Sequence, residues 1–146
     1  MFAFQMEKCE SKYCGCLYYS SNALARLMTK MADEEFAPLG ITSSYAILLN
    51  SINEKPGIHP KEISQQMQLS PSTVTRLIEK METRGLVERK SSGRITEVYP
   101  TKTGTELQVK IVECWTSLNN KYTSILGKEN SAQLTESITN AIQTLR

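Results

Sequence analysis

A single histidine, His59, stands in a chain of 146 residues, which leaves little for acid–base schemes built on imidazole. No G-x-S-x-G, H-E-x-x-H, phosphate-cradling glycine loop or paired-carboxylate signature supplies other catalytic groups. An enzyme is therefore the least favoured class, and His59, between Ile58 and Pro60, reads as a cap or surface residue. No apolar run approaches the ~18–20 residues that a membrane span needs. The opening MFAFQMEKCESKYCGC carries acidic residues and lacks the basic-then-apolar order of a signal peptide, so the cytoplasm is the expected compartment and no membrane partner is expected.

Repeats, low-complexity segments and flexible linkers are also missing. There are only four cysteines, Cys9, Cys14, Cys16 and Cys114. With so much helical patterning and no secretion signal they do not form a disulfide framework, and reduced thiols are expected. A zinc site would have to gather all four, and the tight C-x-C of Cys14-Gly15-Cys16 lacks the usual two-to-four residue spacer. Neither a metal nor a cofactor is expected.

What is present begins with a length that suits one ordinary domain, with moderate charge and enough apolar content for a core. The net charge of +2 is small, but it is unevenly spread. Residues 1–54 hold four Lys/Arg against six Asp/Glu, residues 55–104 hold nine against five, and residues 105–146 hold four of each. The basic excess sits in the middle third.

That third contains the densest run of structural signals, residues 58–104. Ser70 is a good helix N-cap and Pro71 suits the first helical position, where a missing N–H costs nothing. Val74, Leu77, Ile78 and Met81 follow at i, i+3, i+4 and i+7 and make one apolar stripe. Ser72, Arg76, Glu79, Lys80 and Thr83 fall roughly opposite, with Thr73 and Thr75 on the flanks. Gly85 closes the helix. Upstream, Pro60 opens a shorter helix carrying Ile63 and Met67, and so short a connection between two amphipathic helices makes a helix-turn-helix. Downstream, LVERK (86–90) and ITEVY (95–99) flank Ser91-Ser92-Gly93-Arg94 and read as a hairpin. A helix-turn-helix followed by a basic-tipped hairpin is a winged helix, a shape that reads DNA.

These residues resemble the MarR family of bacterial transcription regulators. The recognition-helix pattern is STVTRLIEKMETRGLVERK (72–90), the T-x-x-G that follows the family's wing is Thr101-Lys102-Thr103-Gly104, and LGITSSYAILLNSI (39–52) is similar to the family's second helix. The resemblance covers roughly residues 14–128. Two positions depart from it: Ser92 stands where the family usually has an Asp before the Arg of the wing tip, and Pro100 replaces the usual Leu. The missing Asp removes a carboxylate that could hold the wing Arg.

The flanks complete the expected architecture. Residues 11–37 read as one long helix with Leu17, Leu24, Leu27, Met28 and Met31, stopped by Pro38-Leu39-Gly40. Thr42 caps the next helix, with Ile47, Leu48 and Ile52 expected inside. A second long helix over 102–126 carries Leu107, Ile111, Trp115, Leu118, Tyr122 and Ile125 close to a heptad seam. Asn130 with Gln133 resembles a capping box for a last helix striped by Leu134, Ile138, Ala141, Ile142 and Leu145. Terminal seams without a third layer imply a homodimer. The expected fold is mainly α with a small β-hairpin wing, a winged helix-turn-helix with long N- and C-terminal dimerisation helices. Residues 1–40 and 105–146 would form the dimerisation region and 41–104 the DNA-binding region, as one continuous unit.

The expected function is sequence-specific binding of double-stranded DNA at a pseudo-palindromic operator. Arg76 would pair with guanine, while Ser70, Ser72, Thr73 and Thr75 would touch phosphates or base edges. Lys61, Lys80, Arg89 and Lys90 would neutralise backbone charge, and Arg94 would probe the minor groove. Arg89 has a second reading, as a brace to Glu82 or Glu88. The resemblance implies a repressor with a small-molecule pocket between the first, second and fifth helices, for which Tyr18, Tyr19, Met28, Tyr45, Leu49 and Trp115 are candidates for holding a small aromatic effector; core packing explains the same six. It also offers a redox route, since YCGCLY (13–18) echoes the L-C-x-x-L-Y of the family's peroxide-sensing branch and makes Cys14 and Cys16 candidate oxidant sensors. The alternative is a winged-helix protein-interaction module that no longer reads DNA.

Overall fold

The computed structural model describes residues 10–146. Helix α1 (Leu17–Phe36) runs into a 3-10 turn at Ala37–Leu39, and α2 (Ser43–Glu54), α3 (Pro60–Met67) and α4 (Pro71–Thr83) follow. Strands β1 (Val87–Ser92) and β2 (Ile95–Pro100) form an antiparallel hairpin, and α5 (Lys102–Leu126) and α6 (Lys128–Thr144) complete the described residues. The fold is mainly α with one hairpin wing, as the periodicities require.

The core gathers around α2. Leu48, Leu49 and Ile52 are completely buried, and Ile63 of α3, Val74, Ile78 and Met81 of α4, Val98 of β2 and Ile111 of α5 close over them. Each such side chain contributes about 1.5–3 kcal/mol on leaving water. One expectation fails here: Ile47 is exposed, and Ala46 and Leu49 take the inward face with Leu48 and Ile52. Tyr45, Leu48, Leu49 and Ile52 are the true i, i+3, i+4, i+7 stripe, and Ile47 lies about 100° around the helix from Leu48.

Two helix starts and one capping bond also differ from expectation. α1 begins at Leu17, because residues 11–16 close two turns in which Cys14 N–H donates to Ser11 O (3.2 Å) and Cys16 N–H to Tyr13 O (2.8 Å). Thr42 occupies the cap position of α2 without a side-chain cap bond; Asp33 of α1 does the capping, accepting from Ser43 N–H at 2.8 Å and Ser43 Oγ–H at 2.7 Å. α6 begins at Lys128, so Asn130 lies inside it and donates to Leu126 O at 3.0 Å instead of forming a capping box. Gly127, with φ of 86°, makes a tight break between α5 and α6, and glycine adopts that conformation at little steric cost. Cys14 is disulfide-bonded, which corrects the expectation that all the thiols are reduced; Cys9 lies outside the described residues.

The wing runs into α5 without slack. Thr101 Oγ accepts from Gly104 N–H (3.1 Å) and donates to Gly85 O (2.7 Å), and Thr101 N–H donates to Leu86 O (3.1 Å). Gly104 lies so close to the Leu86 carbonyl that a Cβ there would overlap its oxygen. The T-x-x-G thus welds the end of α4, the wing and the start of α5. Farther along, Lys121 Nζ pairs with Glu35 Oε1 at 2.8 Å, and Cys114 Sγ–H donates to Glu35 O at 3.3 Å. Trp115 meets Phe36 edge to face, with ring centroids 4.8 Å apart.

Candidate nucleic-acid interface

α4 forms as its sequence dictates. Ser70 Oγ accepts from Thr73 N–H at 3.3 Å, Pro71 opens the helix, and Gly85, with φ of 69°, lies just past its end. Val74, Ile78 and Met81 are buried and Leu77 is half-buried, which turns Ser72, Thr75, Arg76, Glu79, Lys80 and Thr83 to solvent. Arg76 makes no hydrogen bond or ion pair among the described residues and is exposed, so its five donors are available. The hydroxyls are less free. Ser70 Oγ lies 2.8 Å from Thr73 Oγ1 and 3.2 Å from Ser72 Oγ, and Thr75 Oγ1–H donates to Pro71 O at 2.9 Å. They can still accept a bond, and the helix N-terminus behind them favours an anion.

The wing's basic residues divide into two groups. Arg89 is held against α4: its Nη2 lies 2.7 Å and its Nε 3.0 Å from Glu82 Oε2, its backbone N–H donates to Glu82 Oε1 at 3.1 Å, and Glu79 Oε1 is 3.8 Å away. The guanidinium hydrogen bonds hold the Glu82 carboxyl below its ordinary range and raise Arg89. Of its two readings, the brace to Glu82 is the one observed. Lys90 points to the other face of the hairpin, 3.2 Å from Glu88 Oε1 and with its ammonium 4.5 Å from the centre of the Tyr99 ring. Tyr99 OH donates to Glu97 Oε2 at 2.9 Å, and that bond raises its pKa. Lys90 is thus paired with one carboxylate and laid over one ring, and its side chain stays 60% exposed. Arg94 is exposed in the two-residue turn between Ser92 and Ile95, and Lys61 and Lys80 are exposed on α3 and α4.

The hairpin is anchored at its base rather than through the missing Asp. Val98 N–H donates to Ile58 O at 3.0 Å, Gly57 N–H donates to Val98 O at 2.9 Å, and His59 Nδ1 lies 3.0 Å from Thr96 O. His59 is thus the cap residue of α3 and a tie to the wing. Arg84, which sequence reasoning passed over, donates from Nη2 to Gly40 O at 2.6 Å and fastens the end of α4 to the turn after α1. Only its place three residues past the stripe hinted at a capping role.

The ligand candidates do not converge. Met28 and Trp115 line an open cavity of about 300 Å³ between α1, α5 and α6, together with Leu118, Tyr122, Leu134 and Ile138. Leu49 is completely buried in the core and Tyr45 packs against it, so neither lines that cavity. Tyr18 is 79% exposed, and Tyr19 lies 5.8 Å from Tyr13, ring to ring. Cys16 is a free, half-buried thiol just before α1, whereas Cys14 is already oxidised.

Fold and site together define a winged helix-turn-helix carried on long terminal helices, with an outward polar helix face and an arginine at the wing tip. Residues 39–94 match the family model described as MarR family. YwoH of Bacillus subtilis (strain 168), an uncharacterised HTH-type transcriptional regulator, is 34% identical over 74 residues, 51% of this chain and 54% of that protein. The chain spans about half the length of the curated relatives it matches. In fold it is similar to MepR of S. aureus in complex with DNA (TM-score 0.77, 19% identity, 88% of this chain and 97% of that one). It is likewise similar to PcaV of Streptomyces coelicolor in complex with its natural ligand (TM-score 0.81, 14% identity, 94% and 99%). The helix-turn-helix and the first half of the wing, residues 39–94, are thus similar to the MarR family of winged-helix transcription regulators. No helix among the described residues is long and apolar enough to cross a membrane.

Proposed function

We propose that the protein is a sequence-specific DNA-binding transcription regulator that works as a homodimer. The observation that carries this reading is α4 itself: a capped helix packed by one face and exposing Arg76 without a partner among the described residues. Arg76 pairs with guanine in the major groove, and Ser70, Ser72, Thr73 and Thr75 accept or donate at phosphates and base edges. Lys61 and Lys80 neutralise backbone charge, and Arg94 enters the minor groove. Arg89 acts indirectly, by holding the wing to α4.

Residues 41–104 act as the reader, and 1–40 with 105–146 as the dimerisation region. The support is apolar surface that the chain leaves open: Leu17, Leu27, Ile125, Leu134, Ile138 and Ile142 are all at least 39% exposed, too many on three terminal helices to be scattered surface residues. A two-fold partner covering them sets two copies of α4 about one helical turn, ~34 Å, apart on a pseudo-palindrome. A small aromatic effector seated between α1, α5 and α6, or oxidation at Cys16, releases the operator by favouring another spacing of the two readers. The role is repression in the cytoplasm, without enzymatic activity.

Selection of duplexes from a random pool tests this reading. The expected result is a pseudo-palindromic consensus whose binding weakens steeply with salt. Recovery of unrelated sequences, or none, would refute it and favour a protein-interaction module.

A further inference from the structure

Between α2 and the first turns of α5 lies a run of side-chain amides that neither the core nor the reader face uses. Asn50 Nδ2 donates to Glu54 Oε1 at 2.9 Å, and Gln108 Nε2 donates to Asn50 Oδ1 at 2.5 Å. Asn53 Nδ2 then lies 3.1 Å from Gln108 Oε1, 3.0 Å from Leu49 O and 3.3 Å from Gly104 O. The direction of every bond is forced from one end. An ionised carboxylate only accepts, so Glu54 turns the Asn50 amide nitrogen toward itself and its oxygen toward Gln108. Gln108 must then present nitrogen to Asn50 and oxygen to Asn53. The last amide meets only acceptors, two of them backbone carbonyls of α2 and α5.

We infer that this amide ladder is the joint that sets the angle between the reader and the dimerisation arm, with Gln108 as its positioning residue. α2 is the element on which α3 and α4 pack, and α5 continues without a break to Leu126. From Gln108 to Leu126 the arm is about 27 Å long, so a change of about 5° at the ladder moves the far end by roughly 2.4 Å in the frame of the reader. A dyad near that end doubles the effect on the separation of two readers, to about 5 Å, which exceeds the ~3.4 Å rise of one base pair. An apolar contact tolerates such a slide, because dispersion is non-directional. Amides with fixed donors and acceptors do not. The ladder therefore converts packing that would tolerate several angles into one.

This inference rests on the dimeric DNA-reading proposal, and its test separates the two. The Gln108→Met variant keeps most of the volume and the Asn53 bonds to Leu49 O and Gly104 O, and removes the bonds to Asn50 and to Asn53. Asn50→Leu with Gln108→Leu is the second variant, which leaves neither partner unsatisfied should the first fail to fold. Each is measured on the duplex that the wild type selects and on forms with one base pair added or removed at the dyad. A ketone-bearing residue at Ser72 carries a nitroxide, so the inter-reader distance is read in the free dimer with native cysteines untouched. The wild type should prefer its own spacing by about tenfold or more, within the range of ordinary site-to-site coupling. The variants should lose most of that preference while retaining binding to unrelated DNA, and their distance distribution should broaden. Unchanged spacing preference in folded variants overturns the ladder and leaves the DNA-reading proposal intact. Failure of the wild type to select any duplex overturns that proposal alone if the distance distribution still broadens, and overturns both if it does not.

Discussion

The clamp between Glu82 and Arg89 makes the sharpest quantitative prediction. Glu82→Gln keeps the size of the side chain and removes its charge, so a carboxylate that accepts three hydrogen bonds from one residue becomes an amide that accepts fewer and weaker ones. Charge-assisted bonds of this kind contribute about 1.5–3 kcal/mol when sheltered. The side chains are 34% and 36% exposed, and solvent screening brings the expectation down to about 1 kcal/mol. In a chain of this size that is a fall of about 3 °C in melting temperature. The pH dependence has a definite sign. The carboxyl of Glu82 is lowered by the Arg89 hydrogen bonds, so the folded state binds its proton more weakly than the unfolded chain does. The stabilisation is then fully present above the ordinary carboxylate range and lost as pH falls through the lowered folded value. Arg89 is raised and stays charged throughout that window. The assay is urea unfolding of wild type, Glu82→Gln, Arg89→Met and the double variant at fixed protein concentration, at pH 7 and again at acid pH. The cycle should give a coupling of about 1 kcal/mol at pH 7 that shrinks in acid. A coupling near zero at pH 7, or one unchanged in acid, refutes the clamp.

Three further outcomes follow from the geometry. Arg76→Ala should weaken binding to the selected duplex by roughly 1–3 kcal/mol and relax preference at one base position; equal binding curves on selected and scrambled duplexes would remove Arg76 from the base-reading set. Gly104→Ala drives a methyl group into the Leu86 carbonyl and should cost about 2–4 kcal/mol, whereas Gly93→Ala, with open space around it but φ of 62°, should cost about 1 kcal/mol. Equal unfolding midpoints for the two would show that the weld between wing and α5 is loose. Ile138→Glu places a charge on the open face of α6 and should convert the dimer to monomer in sedimentation while far-ultraviolet circular dichroism is unchanged; a persistent dimer would move the interface elsewhere.

Local signals were sufficient for the reader. Ser70, Pro71 and Gly85 punctuate α4, the apolar steps through Met81 choose its buried face, and the Thr101-to-Gly104 motif marks the start of α5. Each of these is settled within a few residues by capping, backbone sterics and side-chain periodicity. The placement of Arg76 on an outward face follows from the same short-range geometry. The length of α5, from Lys102 to a glycine stop, was legible for that reason too.

What the tertiary structure decided are the pairings between groups far apart in the chain. Asp33 takes the capping of α2 from Thr42, Glu82 captures Arg89, Glu88 and the Tyr99 ring occupy Lys90, and Leu49 displaces Ile47 from the interior. Composition and spacing say that a carboxylate and a guanidinium are available, but not which one reaches the other. That depends on which elements the closed core brings side by side. The amides of Asn50, Asn53 and Gln108 are the clearest instance. In the sequence they are three ordinary polar residues on two helices, and they become a directed ladder only because α5 crosses α2 where it does.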